Sequence, residues 1–197
     1  MCVERLRGFL IVCGLCCSIA PVSAAQSLIQ TPTNQQRLNE YLRGMFSPLA
    51  VVGSAAGAGI GQWRDNPPEW AQGGAGYGAR FASSFSEHFV QQTILSGTAA
   101  CLGENTQYVR SGQHGFKRRL KYALASTVMA RANDGSRQVS LSQIGAFTGG
   151  AFLSRLWQPP STSGAADGVV NLAASLGVAA GFNVAREFIP RLFHLVD

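Results

Sequence analysis

Residues 51–63 read VVGSAAGAGIGQW, with four glycines and no charge. In water each interior glycine costs a helix about 1 kcal/mol relative to alanine. A helix here needs an offset, either close backbone contact with neighbouring helices or a medium without competing water. On a helix Gly53, Gly57 and Gly61 fall four apart along one ridge, with Ala55 and Gly59 on the opposite side. Small-xxx-small spacing of this kind lets helices approach closely in membranes, where little hydrophobic force draws them together. The pattern recurs at Ala173, Gly177 and Gly181, and again at Gly145 and Gly149. All of these positions are expected to be helix-packing contacts. A soluble bundle with unusually tight crossings would use the same residues.

The rest of the chain agrees with an all-α reading. It has 197 residues, of which 46% are apolar and only 13% charged, about half the usual charged share. From Thr33, Leu38, Tyr41, Leu42 and Met45 recur at helical spacing. Four uncharged or weakly charged stretches follow near 44–63, 88–103, 138–154 and 168–185. Pro67 and Pro68 break the first, GGAGYG at 73–78 reads as a loop, and a helix is expected from about Ala79. Its stripe of Phe81, Phe85 and Phe89 is expected to pack into a core. Another helix should begin near Phe116, and NDGSRQVSLS reads as a turn followed by a short strand. GAGIGQWRDNPPEW and GGAFLSRLWQPP each end an apolar run with Trp and then Pro-Pro. The expected architecture is a compact bundle of five to six helices packed through Gly/Ala ridges, with two hairpins related by this faint repeat.

Residues 1–25 have the layout of a cleaved secretory signal: Arg5 and Arg7, the apolar run GFLIVCGLCCSIA, then small residues to Ala24 and Ala25. An uncleaved anchor is the alternative. Residues 26–43 form a polar segment and 44–197 one helical domain. Four of the five cysteines lie in the signal, leaving Cys101, in the apolar context GTAACLGE, as an expected buried, inert thiol.

The net charge is +6, with the basic residues concentrated between Arg110 and Arg137. Four membrane spans would place this basic loop outside, the reverse of the positive-inside expectation, so simple spanning is disfavoured. A β-barrel is disfavoured too, because the segments lack sustained alternation. In FKRRLKYAL, Lys117, Arg118, Arg119 and Lys121 are the expected contacts with an anionic surface.

Signs of catalysis are sparse. Ser84 and His88 would share a helix face at i, i+4, but no nucleophile-elbow pattern accompanies them, and a polar helix face or a hydrogen-bonded histidine between helices is the favoured reading. His88, His114 and His194 are too scattered for a metal site. No cofactor motif is present, since GGAGYG lacks the Lys-Ser/Thr ending and the preceding strand of a phosphate loop.

At PPEWAQGGAGYGARFASSF, ENTQYVRSGQHGFKRRLKYAL and GAFTGGAFLSRLWQPP the chain resembles a family of small exported bacterial proteins without assigned function, over roughly residues 45–190. The resemblance implies a bacterial envelope setting and carries over no catalytic or binding residue. The expected role is non-enzymatic: an exported, membrane-associated structural or scaffolding component with membrane lipid or an envelope protein as partner. Self-association is expected, nucleic acid is not. The alternatives are a soluble exported module for an anionic ligand, and a hydrolase using His88 and a nearby serine.

Overall fold

A computed structural model describes residues 33–189 apart from 133 and 134. The signal segment therefore lies outside the described residues. Within them the chain is an all-α bundle, with helices α1 (Asn34–Met45), α2 (Pro48–Trp63), α3 (Gly74–Leu102), α4 (Phe116–Ala125), α5 (Leu141–Leu153) and α6 (Ala165–Phe188). Local chemistry sets several boundaries. Thr33 and Gln36 form a reciprocal capping box at the start of α1. The Ser47 hydroxyl accepts from the Ala50 N–H with Pro48 at the first helical position, which splits α2 from α1. Ser140 caps α5 through the Gln143 N–H. Gly103 closes α3 at φ 65°, a left-handed conformation that costs glycine little.

The long helix α3 is central, with α2 antiparallel on one side and α5 on the other, while α6 packs on α5 and α4. The strands β1 (Met129–Arg131) and β2 (Arg137–Val139) form one small antiparallel ladder, Ala130 opposite Gln138. β2 is the short strand expected after NDGSR.

The interior is built from small and polar side chains. Its buried apolar residues are Met45 and alanines such as Ala50, Ala58, Ala99, Ala146 and Ala151. The largest fully buried side chains are Glu187, Ser140, Ser142 and Ser154. Conversely Trp63 is 82% exposed, Val170 68% and Val52 62%.

The expected ridges need correction in register. The buried line of α2 is Ala50, Ser54 and Ala58, one position along from Gly53, Gly57 and Gly61. Gly57 makes an ordinary contact, its would-be Cβ lying 3.4 Å from Ser84 Oγ. Gly61 is tight, with Asn66 O at 3.0 Å and Arg80 Cδ at 3.1 Å. Among the described residues nothing lies within 4 Å of a Cβ at Gly53, Gly145, Gly177 or Gly181, and Ala173 is exposed. On α6 only Gly168 and Glu187 are buried, so Ala173, Gly177 and Gly181 point away from helix neighbours. The close approaches are instead at Gly149 against Ile94, Gly150 against Gln91, and Gly168 beneath the Phe152 ring.

Three further expectations change. The GGAGYG segment is helical from Gly74, because Gly76 sits directly under the carbonyl oxygens of Trp70 and Ala71, where no side chain fits, and Tyr77 Oη donates to Ala55 O at 3.1 Å. Phe81 and Phe85 stack at 6.1 Å but Phe89 is 44% exposed, so the stripe only partly enters the core. Cys101 is exposed, not buried, because Ala99 is the position near the end of α3 that turns inward.

The two Trp–Pro-Pro segments behave alike. Each forms a 3-10 turn led by its second proline, Pro68–Trp70 after α2 and Pro160–Thr162 after α5. Both loops are held by arginine. Arg80, 3% exposed, donates to Asn66 O (3.1 Å), Pro67 O (2.8 Å), Ala71 O (2.7 Å) and Gln62 Oε1 (2.7 Å). Arg155 donates to Thr162 O at 2.7 Å and Ala151 O at 3.2 Å. The Ser161 hydroxyl donates to Glu69 Oε2 at 2.6 Å and joins the loops. The Arg80 contacts restrain Ala71, whose φ of 53° and ψ of −172° lie in a region that side chains other than hydrogen avoid.

Two substitutions separate these roles. Gly76→Ala should lower unfolding stability by about 2 kcal/mol or more through overpacking against backbone. Gly53→Ala, which meets nothing, should raise it by about 0.5–1 kcal/mol through helix propensity. Chemical denaturation of both variants tests the register. Arg80→Lys should cost about 2 kcal/mol or more, because an ammonium cannot reach the several fixed acceptors at once.

Candidate functional site

Ser84, Glu87, His88, Gln91, Gln92 and Leu95 recur at i, i+3, i+4, i+7, i+8 and i+11 along one face of α3. That face is the floor of a cleft of about 570 Å³. α2 supplies Leu49, Ala50, Gly53 and Ser54 as one wall, and α5 contributes Gln143, Ala146 and Phe147. α6 closes the other side with Asn171, Ala174, Ser175, Val178, Ala179 and Phe182. Arg43 and Arg186 also line it. The volume lies in the usual range for small-molecule sites. Gly53 is open because it borders this cleft.

The floor's polar groups are largely engaged within the protein. Asn171 Nδ2 donates to both Glu87 oxygens, at 2.9 and 2.8 Å, and Gln91 Nε2 donates to Glu87 Oε1 at 3.1 Å. Burial pushes the Glu87 carboxyl above its ordinary range, against the Asn171 hydrogen bond and the charge of Arg155. His88 Nε2 lies 3.0 Å from the Gly44 carbonyl oxygen, and as that atom can only accept, Nε2 carries the proton. The histidine therefore ties α3 to the end of α1, as favoured from sequence. Ser84 and His88 are not joined as nucleophile and base. Among the described residues no cluster of His, Cys, Asp and Glu is arranged to hold a metal ion.

Two buried carboxylates that sequence reading missed lie outside the cleft. Glu104, 2% exposed, accepts from Ser140 Oγ (2.6 Å), Leu141 N (3.1 Å), Ser142 N (3.3 Å) and the Ser142 hydroxyl at the start of α5. Free backbone N–H groups and the helix dipole favour a negative charge there. Glu187, 1% exposed, accepts from Tyr108 Oη (2.8 Å), Ser111 Oγ (2.5 Å) and Arg119 Nε (2.9 Å). Burial and this bond push the Tyr108 hydroxyl up in pKa.

The Glu187 ion pair corrects the basic face. Arg119 turns inward, its guanidinium 4.4 Å from the Phe188 ring centroid, and serves α4–α6 packing instead of an anionic surface. Lys117, Arg118 and Lys121 are exposed on α4. No signal near Glu104 flags it, since its partner Ser140 lies 36 residues along the chain. Nothing local marks Glu187.

Comparison of the chain with protein-family models, curated proteins and solved structures finds no match.

Glu104 sets a pH dependence. Burial alone would raise its carboxyl, but the hydrogen bonds from Ser140, Ser142 and Leu141 outweigh it and hold the group below the ordinary carboxylate range. The stability it confers is complete above the unfolded carboxyl's pKa and is lost as pH falls through the lower, folded value. Thermal unfolding between pH 6 and pH 2 should show an acid-side loss that Glu104→Gln reduces, with the variant already less stable at pH 6.

Proposed function

We propose that this protein is an exported, membrane-associated helical component of the bacterial cell envelope with a structural or scaffolding role and no enzymatic activity. The observation that carries this reading is the inverted placement of side chains. Exposed apolar residues are common on ordinary proteins, but buried polar side chains combined with contiguous exposed apolar faces are not. On α6, Val169, Val170, Ala173, Gly177 and Gly181 form an uncharged outer surface, distinct from the residues that line the cleft. The stretches Gln35–Trp63 and Ala165–Phe188 are long and apolar enough to cross a membrane by length and composition. A body lying in or on a bilayer would place these faces in lipid and Lys117, Arg118 and Lys121 against anionic headgroups. The open Ala173–Gly177–Gly181 ridge suits lipid or a second copy of the chain. The cleft favours a second reading, a soluble exported module for an anionic ligand.

Membranes from cells expressing the tagged protein, washed with alkaline carbonate, should retain it until detergent is added. Release by carbonate or osmotic shock alone would overturn the membrane reading in favour of the soluble module. Replacing Lys117, Arg118 and Lys121 with Gln should weaken binding to anionic vesicles on the order of 100-fold, at about 1 kcal/mol per charge. Flotation assays over a range of vesicle concentrations measure this.

A further inference from the structure

We propose that the cleft over α3 holds the single apolar chain of a fatty acid, with its carboxylate at Arg43. The walls select the chain. Leu49, Phe147, Val178 and Phe182 present apolar side chains to the space, and Gly53 and Ala174 leave it wide. Glu87 and Gln91 are bonded to each other, Asn171 to Glu87 and His88 to Gly44, so these groups are not offered to a ligand, while the buried Gln143 Oε1 on the α5 wall has no partner among the described residues. A ligand that needed many hydrogen bonds would have to break that network.

The helix contacts orient the ligand. Asn171 meets Glu87 near the middle of α3, so that carboxylate is already occupied. Gly44 meets His88 and Gln92, which sets the adjacent Arg43 toward the C-terminal half of α3. Arg43 is exposed at the rim, with Ser47 lining the cleft one turn along. Arginine pairs with a carboxylate through two parallel N–H donors. Among the described residues Glu87 is the one acid that lines the cleft, and it is held by Asn171 and Gln91, so the charge at the rim beside Gly44 is the positive one of Arg43. At about 570 Å³ the space suits one chain, lying along an open cleft whose α6 wall includes the exposed Ala174 and Val178. This inference does not depend on membrane association, since the cleft belongs to the bundle itself.

The test uses the full chain in mild detergent or nanodiscs with a long-chain fatty acid bearing a photoactivatable diazirine near its tail. Crosslinked sites are mapped by mass spectrometry, with and without excess oleate. Labelling should concentrate on cleft residues such as Leu49, Phe147 and Phe182, and oleate should suppress it at least fivefold. Gly53→Leu and Ala174→Phe, each checked by circular dichroism for retained helix, should each reduce it at least fivefold by filling the space. Arg43→Gln should raise the concentration of oleate needed for competition about tenfold. Labelling spread over Val52, Ile60 and Val170, unaffected by oleate or by either folded filling variant, would mean ordinary lipid contact and overturn the proposal. Normal competition by the methyl ester of oleate, with Arg43→Gln unchanged, would overturn the carboxylate assignment. A carbonate-released protein that still shows saturable cleft labelling would refute the membrane reading and leave this one standing.

Discussion

The bundle depends on how closely α2 and α5 approach α3. Both contacts are made by residues with little or no side chain: Ala50, Ser54 and Ala58 on α2, and Ala146, Gly149, Gly150 and Ala151 on α5. At that separation no room remains for large apolar side chains between the helices, so leucines and phenylalanines move to the flanks or outward. The interior must then be held by directional contacts, since burying alanine removes little apolar surface from water. Hydrogen bonds donated by Arg80 and accepted by Glu87, Glu104 and Glu187 provide them, each joining separate segments of the chain.

Such an interior is sensitive to single losses. A buried charge keeps its stabilising role only while all its partners remain, and removing one leaves the others desolvated without compensation. The loops illustrate the same economy. Arg80 fixes a turn containing a strained Ala71, and Glu69 then fastens that turn to the one held by Arg155. The two Trp–Pro-Pro segments therefore meet as a pair at one end of the molecule, each at the bend of a helical hairpin.

The helices that begin at Thr33 and near Phe116 were readable in the sequence from their apolar spacing. Gly74–Gly78 was not, because its helicity depends on tertiary contacts that outweigh glycine's poor propensity: carbonyls over Gly76 and the Tyr77 bond to Ala55. Ridge register was also hidden. Three glycines four apart look like a packing seam, yet the seam uses the neighbouring Ala–Ser–Ala line, and periodicity alone cannot separate positions one residue apart on a helix with few bulky side chains. Arg119 was indistinguishable from Lys117, Arg118 and Lys121 because its partner, Glu187, lies 68 residues away. The cleft was partly visible, through Ser84 and His88 on one helix face, but its walls come from α2, α5 and α6 and could not be assembled from spacing.

The surface character follows from where the acids go. Glu87, Glu104 and Glu187 are consumed inside the bundle, Asp65 and Glu69 in the loop after α2, and Asp167 at the start of α6, where it accepts from the Gly164 N–H at 3.2 Å. Lysine and arginine are spent less completely, since Lys117, Arg118 and Lys121 stay exposed. With Glu104 and Glu187 buried and Glu87 half-buried, a chain of ten acidic and sixteen basic residues keeps its positive surplus at the surface. The buried polar network and the exposed surplus of lysine and arginine are thus two results of one allocation of charge.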